Sequence, residues 1–175
     1  MTKQELEMCI EKYGRDIYSF CRYLTSDPAE ADDLYQDTFL KAVEYREKIE
    51  YGNNPKSYLL SVAMRIWKNR KRKYAWRKRI ARMQSATEER DADMDESAEP
   101  SPEERVTGRE RDETIRRAVN RLPEKLKTVT LLFYMEDLST AQIAEAVKIP
   151  VGTVLSRLYQ ARKLLKRELE DVLNG

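Results

Sequence analysis

The sequence contains no histidine, few glycines and prolines, and only two cysteines. Without histidine, the Ser-His-Asp and Cys-His nucleophiles and all histidine-based metal sites are excluded. The five glycines and six prolines supply too few turns for an all-β fold and form no glycine-rich phosphate loop. Cys9 and Cys21 lack metal-type spacing and lie on one apolar helical stripe, which predicts buried, reduced thiols. Carboxylate-only or lysine-based catalysis stays open at this stage.

Long apolar runs are also lacking. No stretch approaches the roughly 18 apolar residues that a membrane span requires, and residues 1–7 do not have the pattern of an export signal. We therefore expect a cytoplasmic protein with no direct membrane insertion.

Charge is strongly segregated, although the net charge is only +2. The segment from Tyr51 to Thr87 contains eleven Lys and Arg and no acid. The segment from Glu88 to Glu104 contains nine acids and one base. A chain polarised in this way is typical of a protein whose basic part has an anionic partner.

Capping signals mark where helices begin. Two starts have the spacing of a capping box, and two have a capping residue followed by proline in the first turn. The predicted starts are Thr2 with Glu5, Asp27 with Pro28, Asn54 with Pro55, and Ser139 with Gln142. Apolar residues follow at helical spacing, and Ile10, Val43 and Ile115 are among those predicted to be buried. The basic run from Lys68 to Arg82 either extends the third helix or forms a short fourth one.

The acidic segment divides the helices into two groups. Met94 is its only large apolar residue, so it cannot bury enough surface to offset its ordering entropy. We therefore predict an all-α fold of two small helical domains, residues 1–82 and 112–175, joined by a flexible acidic linker at residues 83–111.

The segment from Ser139 to Leu165 has the layout of a helix-turn-helix. A short helix with the small residue Ala144 inside is followed by a tight turn and a longer helix. Such a second helix places its N-terminal residues in the major groove of DNA. A helical hairpin with a solvated face has the same layout, so both interpretations stay open on layout alone. The candidate duplex-binding residues are Gly152, Thr153, Leu155, Ser156, Arg157, Tyr159, Gln160, Arg162 and Lys163.

Aromatic residues lie in or beside the acid-free basic segment. This mixture suits single-stranded nucleic acid, because bases stack on rings while cations contact phosphates. Core packing is the better explanation for Tyr58, and Trp67 fits either interpretation. A solvated helix face is the alternative, but eleven cations without one acid favour nucleic acid. The candidate strand-binding residues are Arg65, Trp67, Lys68, Asn69, Arg70, Lys71, Arg72, Lys73, Tyr74 and Trp76.

The second predicted helix carries Asp32, Asp33, Gln36 and Asp37 beside its apolar stripe. Compensation of the helix dipole explains the first two acids, but it explains Asp37 less well because Asp37 lies further along the helix. Catalytic carboxylates would need a basic or metal-binding neighbour, which the local sequence lacks. We interpret this face as a docking surface for a basic protein.

Two stretches of the sequence resemble the small extracytoplasmic-function group of bacterial RNA polymerase sigma factors. Together they cover nearly the whole chain outside the predicted linker. The first stretch is Asp33-Leu34-Tyr35-Gln36-Asp37-Thr38-Phe39-Leu40-Lys41-Ala42, followed by Tyr58-Leu59 and Val62-Ala63. The second includes Leu122-Pro123-Glu124, Pro150-Val151-Gly152-Thr153-Val154 and Ser156-Arg157-Leu158.

The resemblance implies a sigma factor, which binds core RNA polymerase and directs it to promoter DNA and is not an enzyme. The basic helix would melt and read the −10 element, with Asn69 in a pocket for a flipped base. The C-terminal domain would read the −35 element and contact the β flap. An anti-sigma factor is a common partner in this group, and neither a metal nor a cofactor is implied. The β′ clamp helices would dock on Asp33, Gln36, Asp37, Leu40 and Lys41.

Two residues depart from the family pattern. Arg65 stands where Asn is common and Leu155 where Lys or Arg is usual, so unusual promoter contacts are implied at both.

Three other kinds of protein are alternatives to this family. A stand-alone helix-turn-helix regulator would bind duplex DNA without polymerase, and a nucleic-acid-processing enzyme would need an acidic cluster for Mg²⁺. An adaptor without a DNA role would show no salt-dependent DNA binding.

Overall fold

The computed structural model describes residues 1–49, 54–84 and 107–173, with the backbone alone at 107–109, 112, 172 and 173. Over these residues the predicted all-α fold is confirmed. A 3₁₀ turn at Arg46–Lys48 follows the second helix, and a π-helical turn at Leu131–Met135 follows the fifth. The helices are α1 (Lys3–Thr25), α2 (Pro28–Glu44), α3 (Pro55–Gln84), α4 (Thr107–Arg121), α5 (Glu124–Thr130), α6 (Thr140–Val147) and α7 (Val151–Leu173).

The predicted capping boxes are confirmed. The Thr2 hydroxyl accepts the Glu5 N–H at 3.2 Å, and the Glu5 carboxylate accepts the Thr2 N–H at 2.6 Å. Ser139 and Gln142 make the same reciprocal pair at 3.1 and 2.9 Å. These bonds satisfy N–H groups that the first helical turn leaves without backbone partners. Both helix starts are therefore fixed locally.

The proline starts are confirmed as well. The Asp27 carboxylate accepts the Ala29 N–H at 3.1 Å, and α2 begins at Pro28. The Asn54 side chain accepts the Ser57 N–H at 3.1 Å, and α3 begins at Pro55. Of the two possibilities for the basic run, extension of the third helix is the one observed, since α3 continues to Gln84.

The N-terminal domain, α1 to α3, packs all three helices against one another. Ile17, Phe20 and Leu34 are fully buried among them. Cys9 and Cys21 are free and buried, as predicted. Burial raises the pKa of the Cys21 thiol to about 12. The pKa of Cys9 is also raised, first by burial and then by the nearby Glu5 carboxylate.

The C-terminal domain, α4 to α7, is built around the last helix. α4, α5 and α6 all pack against α7. Leu132, Ile143 and Leu158 are fully buried in this domain. The range predicted as linker overlaps both domains, because residues 83–84 belong to α3 and residues 107–111 to α4. Residues 85–106 of that range lie outside the described residues.

Three residues predicted to be buried are exposed. Ile10 is 36% exposed, Val43 44% and Ile115 49%. Each lies on an apolar stripe at helical spacing, so the prediction was wrong about stripe width. The neighbouring helix covers only the centre of each stripe, and residues at its margin remain in contact with solvent.

The two domains are in contact. α3 packs against α6, and α1 contacts the π-helical turn. One hydrophobic cluster runs through both domains, from Phe20 and Trp67 on one side to Leu132 and Ile143 on the other. The part of the chain that the structure describes is therefore a single packed unit.

Candidate nucleic-acid interface

The turn between α6 and α7 has a defined geometry. Lys148 adopts a left-handed conformation with φ of 58° and ends α6. The Ile149 N–H then donates to the Ala144 carbonyl at 3.1 Å. Pro150 precedes α7 and its carbonyl accepts the Thr153 N–H at 3.0 Å. Because these bonds fix the turn, α7 is held at a set angle to α6, as a helix-turn-helix requires.

The N-terminal half of α7 presents a polar face to solvent. Val154, Leu158 and Ala161 point inward and are buried. Thr153 and Arg157 are half-buried at the edge of the opposite face. A Cβ added at Gly152 would meet no atom within 4 Å, so packing does not require this glycine. The exposed members of the predicted duplex-binding set are Gly152, Leu155, Ser156, Tyr159, Gln160, Arg162 and Lys163.

Arg162 is positioned by its own domain. Its Nε donates to the Tyr134 hydroxyl at 2.6 Å. Its guanidinium also lies 6.0 Å from the centre of the Phe133 ring and 5.9 Å from that of Tyr134. Such cation–π contacts and the hydrogen bond hold the guanidinium in place while it stays exposed. Tyr134, itself 54% exposed, lies beside this candidate interface and was not among the residues predicted for it.

Most of the predicted strand-binding residues line the solvent side of α3. Tyr74 is 66% exposed and Trp76 62% exposed. Exposed aromatic rings among cations provide both the stacking surface and the charge that an unpaired strand uses. The other exposed members on this side are Arg65, Lys68, Asn69, Arg72 and Lys73.

The other three strand-binding candidates are engaged within the protein. Trp67 is only 8% exposed, and its indole N–H has no hydrogen-bond partner among the described residues. Lys71 lies 5.1 Å above the Trp67 ring and forms an ion pair at 3.0 Å with Glu124 of α5. Arg70 forms an ion pair at 2.5 Å with Asp37 of α2. Of the three, only Trp67 is buried, whereas Arg70 is half-buried and Lys71 stays exposed beside its ion-pair partner.

The α2 acidic face consists of Asp33, Gln36, Asp37, Leu40 and Lys41. Asp33 and Gln36 are exposed, and Leu40 is 65% exposed. Asp37, half-buried beside Arg70, is the acid that the helix dipole explained poorly, and its ion pair supplies a structural reason for it. Lys41 forms an ion pair with Glu44 at 2.6 Å. A single exposed leucine is ordinary on a protein surface, so a docking role for this face stays a prediction from the sequence.

A groove beside the α2 acidic face extends onto α1. Its volume is about 520 Å³. Tyr18 donates to Asp32 at 2.8 Å, and its ring meets that of Tyr35 edge-on with centres 5.5 Å apart. A Cβ at Gly14 would lie 3.0 Å from the Tyr35 hydroxyl, so glycine allows this close packing. The groove enlarges the candidate protein-binding surface beyond α2.

Two buried charged residues were not predicted. Lys127 is 7% exposed and Glu136 is 2% exposed. Burial, with a smaller contribution from Lys71, lowers the pKa of Lys127 to about 8. Burial also raises the pKa of Glu136, against the opposing effect of Lys56. Lys127 lies within α5 and Glu136 directly after the π-helical turn. Neither has a local sequence that distinguishes it from an exposed residue, so no sequence signal identified them.

Among the described residues, no group of three or more cysteine, aspartate or glutamate side chains could hold a metal ion. No helix in those same ranges has the length and apolar character needed to cross a membrane.

Comparison with known proteins matches both domains. Residues 9–77 match the family model described as Sigma-70 region 2, and residues 112–165 match Sigma-70, region 4. The ECF RNA polymerase sigma factor SigC of Mycobacterium tuberculosis is 30% identical over 171 residues, which span 97% of this chain and 86% of that protein. SigW of Bacillus subtilis, also an ECF RNA polymerase sigma factor, is 28% identical over 167 residues, 93% of this chain and 88% of that protein.

A solved structure shares the fold. The sigma factor RpoE of Bartonella quintana, in complex with the anti-sigma factor NepR, superposes with a TM-score of 0.70. The match covers 96% of each chain at 23% sequence identity. The similarity therefore extends over both helical domains.

Proposed function

This chain belongs to the sigma-70 family, in its extracytoplasmic-function group, and from that premise we propose that it binds core RNA polymerase and directs it to specific promoters. One observation carries the proposal: each domain presents its own cationic helix to solvent, α3 in one and α7 in the other. Two such surfaces on one chain suit a protein that contacts two separate promoter elements.

We propose the following division of labour. The α2 acidic face docks on the β′ clamp helices of the polymerase, with exposed Leu40 providing apolar contact and Asp33 providing charge. The exposed side of α3 reads the opened −10 strand, and Tyr74 and Trp76 offer rings for unpaired bases. The N-terminal half of α7 reads the −35 duplex, and the first helices of the C-terminal domain contact the β flap.

The energetic role of polymerase is to bring two weak contacts together. Held at promoter spacing on one enzyme, the second contact becomes intramolecular and benefits from a high effective concentration. Extruding a base from the −10 duplex costs a few kcal/mol, which stacking and phosphate contacts offset. In this account the chain supplies binding energy and geometry, while polymerase performs the chemistry. The chain itself is not an enzyme and needs no metal or cofactor.

Its location and regulation follow from the same role. We propose that the chain acts in the cytoplasm, where polymerase and promoter DNA are found. The sigma factor RpoE to which its fold is similar was solved in complex with the anti-sigma factor NepR. We propose that an anti-sigma factor likewise holds this chain inactive.

In-vitro transcription tests the proposed function directly. Purified core polymerase is given a genomic template with or without the full chain, and the RNA start sites are sequenced. New start sites that depend on the chain are expected. Identical start sites in both reactions would refute the proposal. A gel shift without polymerase provides the second arm, because tight, specific duplex binding by the chain alone would indicate a stand-alone regulator.

Arg157→Ala is expected to lower transcription from the chain-dependent promoters about tenfold, since losing one arginine contact to DNA costs about 1–3 kcal/mol. Arg157 lies at the edge of the exposed face of α7, far along the sequence from the α2 acidic face. Binding to core polymerase, measured by fluorescence anisotropy of the labelled chain, should not change.

Two further variants complete this test. Asp33→Lys reverses an exposed charge on the α2 acidic face and should weaken binding to core polymerase. Lys3→Ala removes an exposed cation from α1, outside every proposed interface, and serves as the control with no expected loss of transcription. If Arg157→Ala weakened core binding as much as Asp33→Lys does, the division of labour between the two surfaces would be wrong.

A further inference from the structure

Two consecutive aromatic residues of the C-terminal domain face one arginine of α7. The ring centres of Phe133 and Tyr134 lie 6.0 and 5.9 Å from the Arg162 guanidinium, and the two rings meet edge-on with centres 5.0 Å apart. In an α-helix, consecutive side chains point about 100° apart around the axis. Both rings belong instead to the π-helical turn at Leu131–Met135, whose hydrogen bonds span five residues. This wider turn brings their directions closer together.

Tyr134 also binds the guanidinium through a hydrogen bond. The Arg162 Nε–H donates to the Tyr134 hydroxyl oxygen at 2.6 Å, across 28 positions of sequence. A guanidinium carries five N–H donors, and this bond uses the one on Nε. The four donors on the two terminal nitrogens have no hydrogen-bond partner within the part of the chain that the structure describes. Because Tyr134 is 54% exposed and Arg162 is exposed, a ligand can approach the pair from solvent.

The positive charge of Arg162 is not neutralised by a carboxylate of the described residues. Its aromatic partners are uncharged, and none of the ion pairs among those residues includes it. Arg70 of α3 differs in this respect, because Asp37 pairs with it. Residues 151–167 of α7 contain five Lys and Arg and no acid. Arg162 is therefore held by neutral partners, and its charge can interact with an anion outside the chain.

The position of Arg162 along α7 indicates which part of DNA it meets. It lies eleven residues after Val151, the first residue of α7, which is about 16 Å along the axis at 1.5 Å per residue. A helix-turn-helix inserts the N-terminal residues of its second helix into the major groove, which is about 12 Å wide. A side chain about 16 Å from that end lies at the rim of such a groove. Phosphate groups, rather than base edges, form the rim.

We propose that Tyr134 is a positioning residue that holds Arg162 for contact with a backbone phosphate of duplex DNA. The tyrosine hydroxyl fixes the Nε edge of the guanidinium, and the terminal nitrogens bind the phosphate oxygens as a planar fork. Because the arginine is ordered before DNA arrives, less conformational entropy is lost on binding. The proposal rests on the proposed function in taking α7 as the helix that meets duplex DNA. It adds a residue from a different element to that contact.

Binding of the full chain alone to a fluorescein-labelled, blunt-ended duplex tests the pair. Binding to phosphates needs neither polymerase nor a promoter, and fluorescence anisotropy at several low salt concentrations measures it. Arg162→Ala is expected to weaken binding about tenfold and to reduce the slope of log affinity against log salt by about 0.9, the value for one phosphate contact. Tyr134→Phe keeps the ring and the arginine charge, so it should weaken binding about fivefold with little change in that slope.

Combining the two variants separates positioning from a general effect of Tyr134 on the domain. If Tyr134 acts through Arg162, Tyr134→Phe should change affinity by less than about twofold in the Arg162→Ala chain. Equal losses from Tyr134→Phe in both backgrounds would overturn the positioning role. Arg162→Lys provides a second measurement, because it keeps the charge but lacks the fork. It should retain the native salt slope without recovering the native affinity.

Two control variants match these changes on α1, outside every proposed interface. Tyr13→Phe removes the hydroxyl of another tyrosine whose ring contacts a cation, the Lys12 ammonium at 5.1 Å. Lys3→Ala removes one exposed positive charge. Both variants should bind the duplex as the native chain does. Circular dichroism of every variant checks that the helices are retained.

A comparison of two duplexes distinguishes a phosphate contact from a base contact. The loss caused by Arg162→Ala should be the same on an A·T-rich and a G·C-rich duplex, because phosphates carry no sequence information. A loss on one duplex only would assign Arg162 to a base and overturn the proposal. Unchanged duplex affinity in Arg162→Ala would also overturn it, and weaker binding of that variant to core polymerase would then indicate a protein contact. Since the duplex measurement does not involve polymerase, its outcome is separate from the transcription test of the proposed function.

Discussion

Replacing Lys127 with methionine is expected to raise the free energy of unfolding at neutral pH by about 2 kcal/mol. Lys127 is 7% exposed, and burial lowers its pKa to about 8. Near neutral pH it carries its charge in both the folded and the unfolded chain, and only the folded chain removes that charge from water. Methionine has a similar shape and no charge, so the variant avoids this cost.

The same lysine predicts how stability changes with pH. Its ordinary pKa is 10.5, and its pKa in the folded chain is about 8. Below pH 8 both states hold the proton, so this group contributes no pH dependence. Between pH 8 and 10.5 the folded chain has released the proton while the unfolded chain retains it, so the free energy of unfolding rises with pH. Lys127→Met should lack that contribution.

Urea unfolding followed by circular dichroism at a series of alkaline pH values measures both effects. Lys125→Met, at an exposed position on the same helix, is the matched control and should follow the native chain. Because tyrosines and the other lysines titrate in every variant, the difference in the free energy of unfolding between variants removes their contribution. If Lys127→Met and the native chain kept parallel pH profiles, Lys127 would not have the lowered pKa.

Phe20→Ala is expected to lower the free energy of unfolding by about 3–5 kcal/mol, because it removes a large buried side chain and leaves a cavity. Phe20 is 0% exposed between the helices of the N-terminal domain. A loss of this size approaches the whole stability of a small domain, which is about 5–15 kcal/mol. The α2 acidic face and α3 should then lose their positions together.

Ile10→Ala on the same helix is the matched control. Ile10 is 36% exposed, so truncation should cost well under half of the Phe20→Ala effect. Urea unfolding monitored by circular dichroism measures both variants. Equal losses at the two positions would mean that α1 buries a wider face than the structure shows.

Helix boundaries could be predicted from sequence because their causes are local. Ser139 and Gln142 bond to each other's backbone across three residues, and Pro55 sets its own backbone angle. The apolar repeat likewise identifies the inward face of α7, where Val154 and Leu158 are buried. None of these features depends on a distant part of the chain.

Interactions between distant residues could not be predicted in this way. The ion pair of Lys56 with Glu136 joins residues that are 80 positions apart, and that of Lys71 with Glu124 joins residues 53 positions apart. A lysine in a basic helix has the same local sequence whether it faces solvent or a second domain. The sequence therefore identified Trp67 and Lys71 as members of a cationic, aromatic helix, but could not show that the C-terminal domain lies against them.

The candidate surfaces on α7 and α3 likewise differ in how much of their exposure the sequence could predict. On α7, exposure follows directly from helical periodicity, and seven of the nine predicted duplex-binding residues are exposed. On α3, periodicity gives the faces but not what covers them. The ion pair of Arg70 in α3 with Asp37 in α2 is another contact between helices that periodicity does not predict. It gives a structural reason for Asp37, which the helix dipole explained less well.

The state of the two cysteines has a practical consequence for labelling. Maleimides and methanethiosulfonates react with the thiolate, and a thiol held protonated inside a core is inert to them. Cys21, with its pKa of about 12, and Cys9, 1% exposed, both meet that condition. Cysteines introduced at exposed positions, one on each domain, will therefore react selectively in the presence of the native pair. Spin labels can thus report the distance between the domains in a chain that keeps both of its own cysteines.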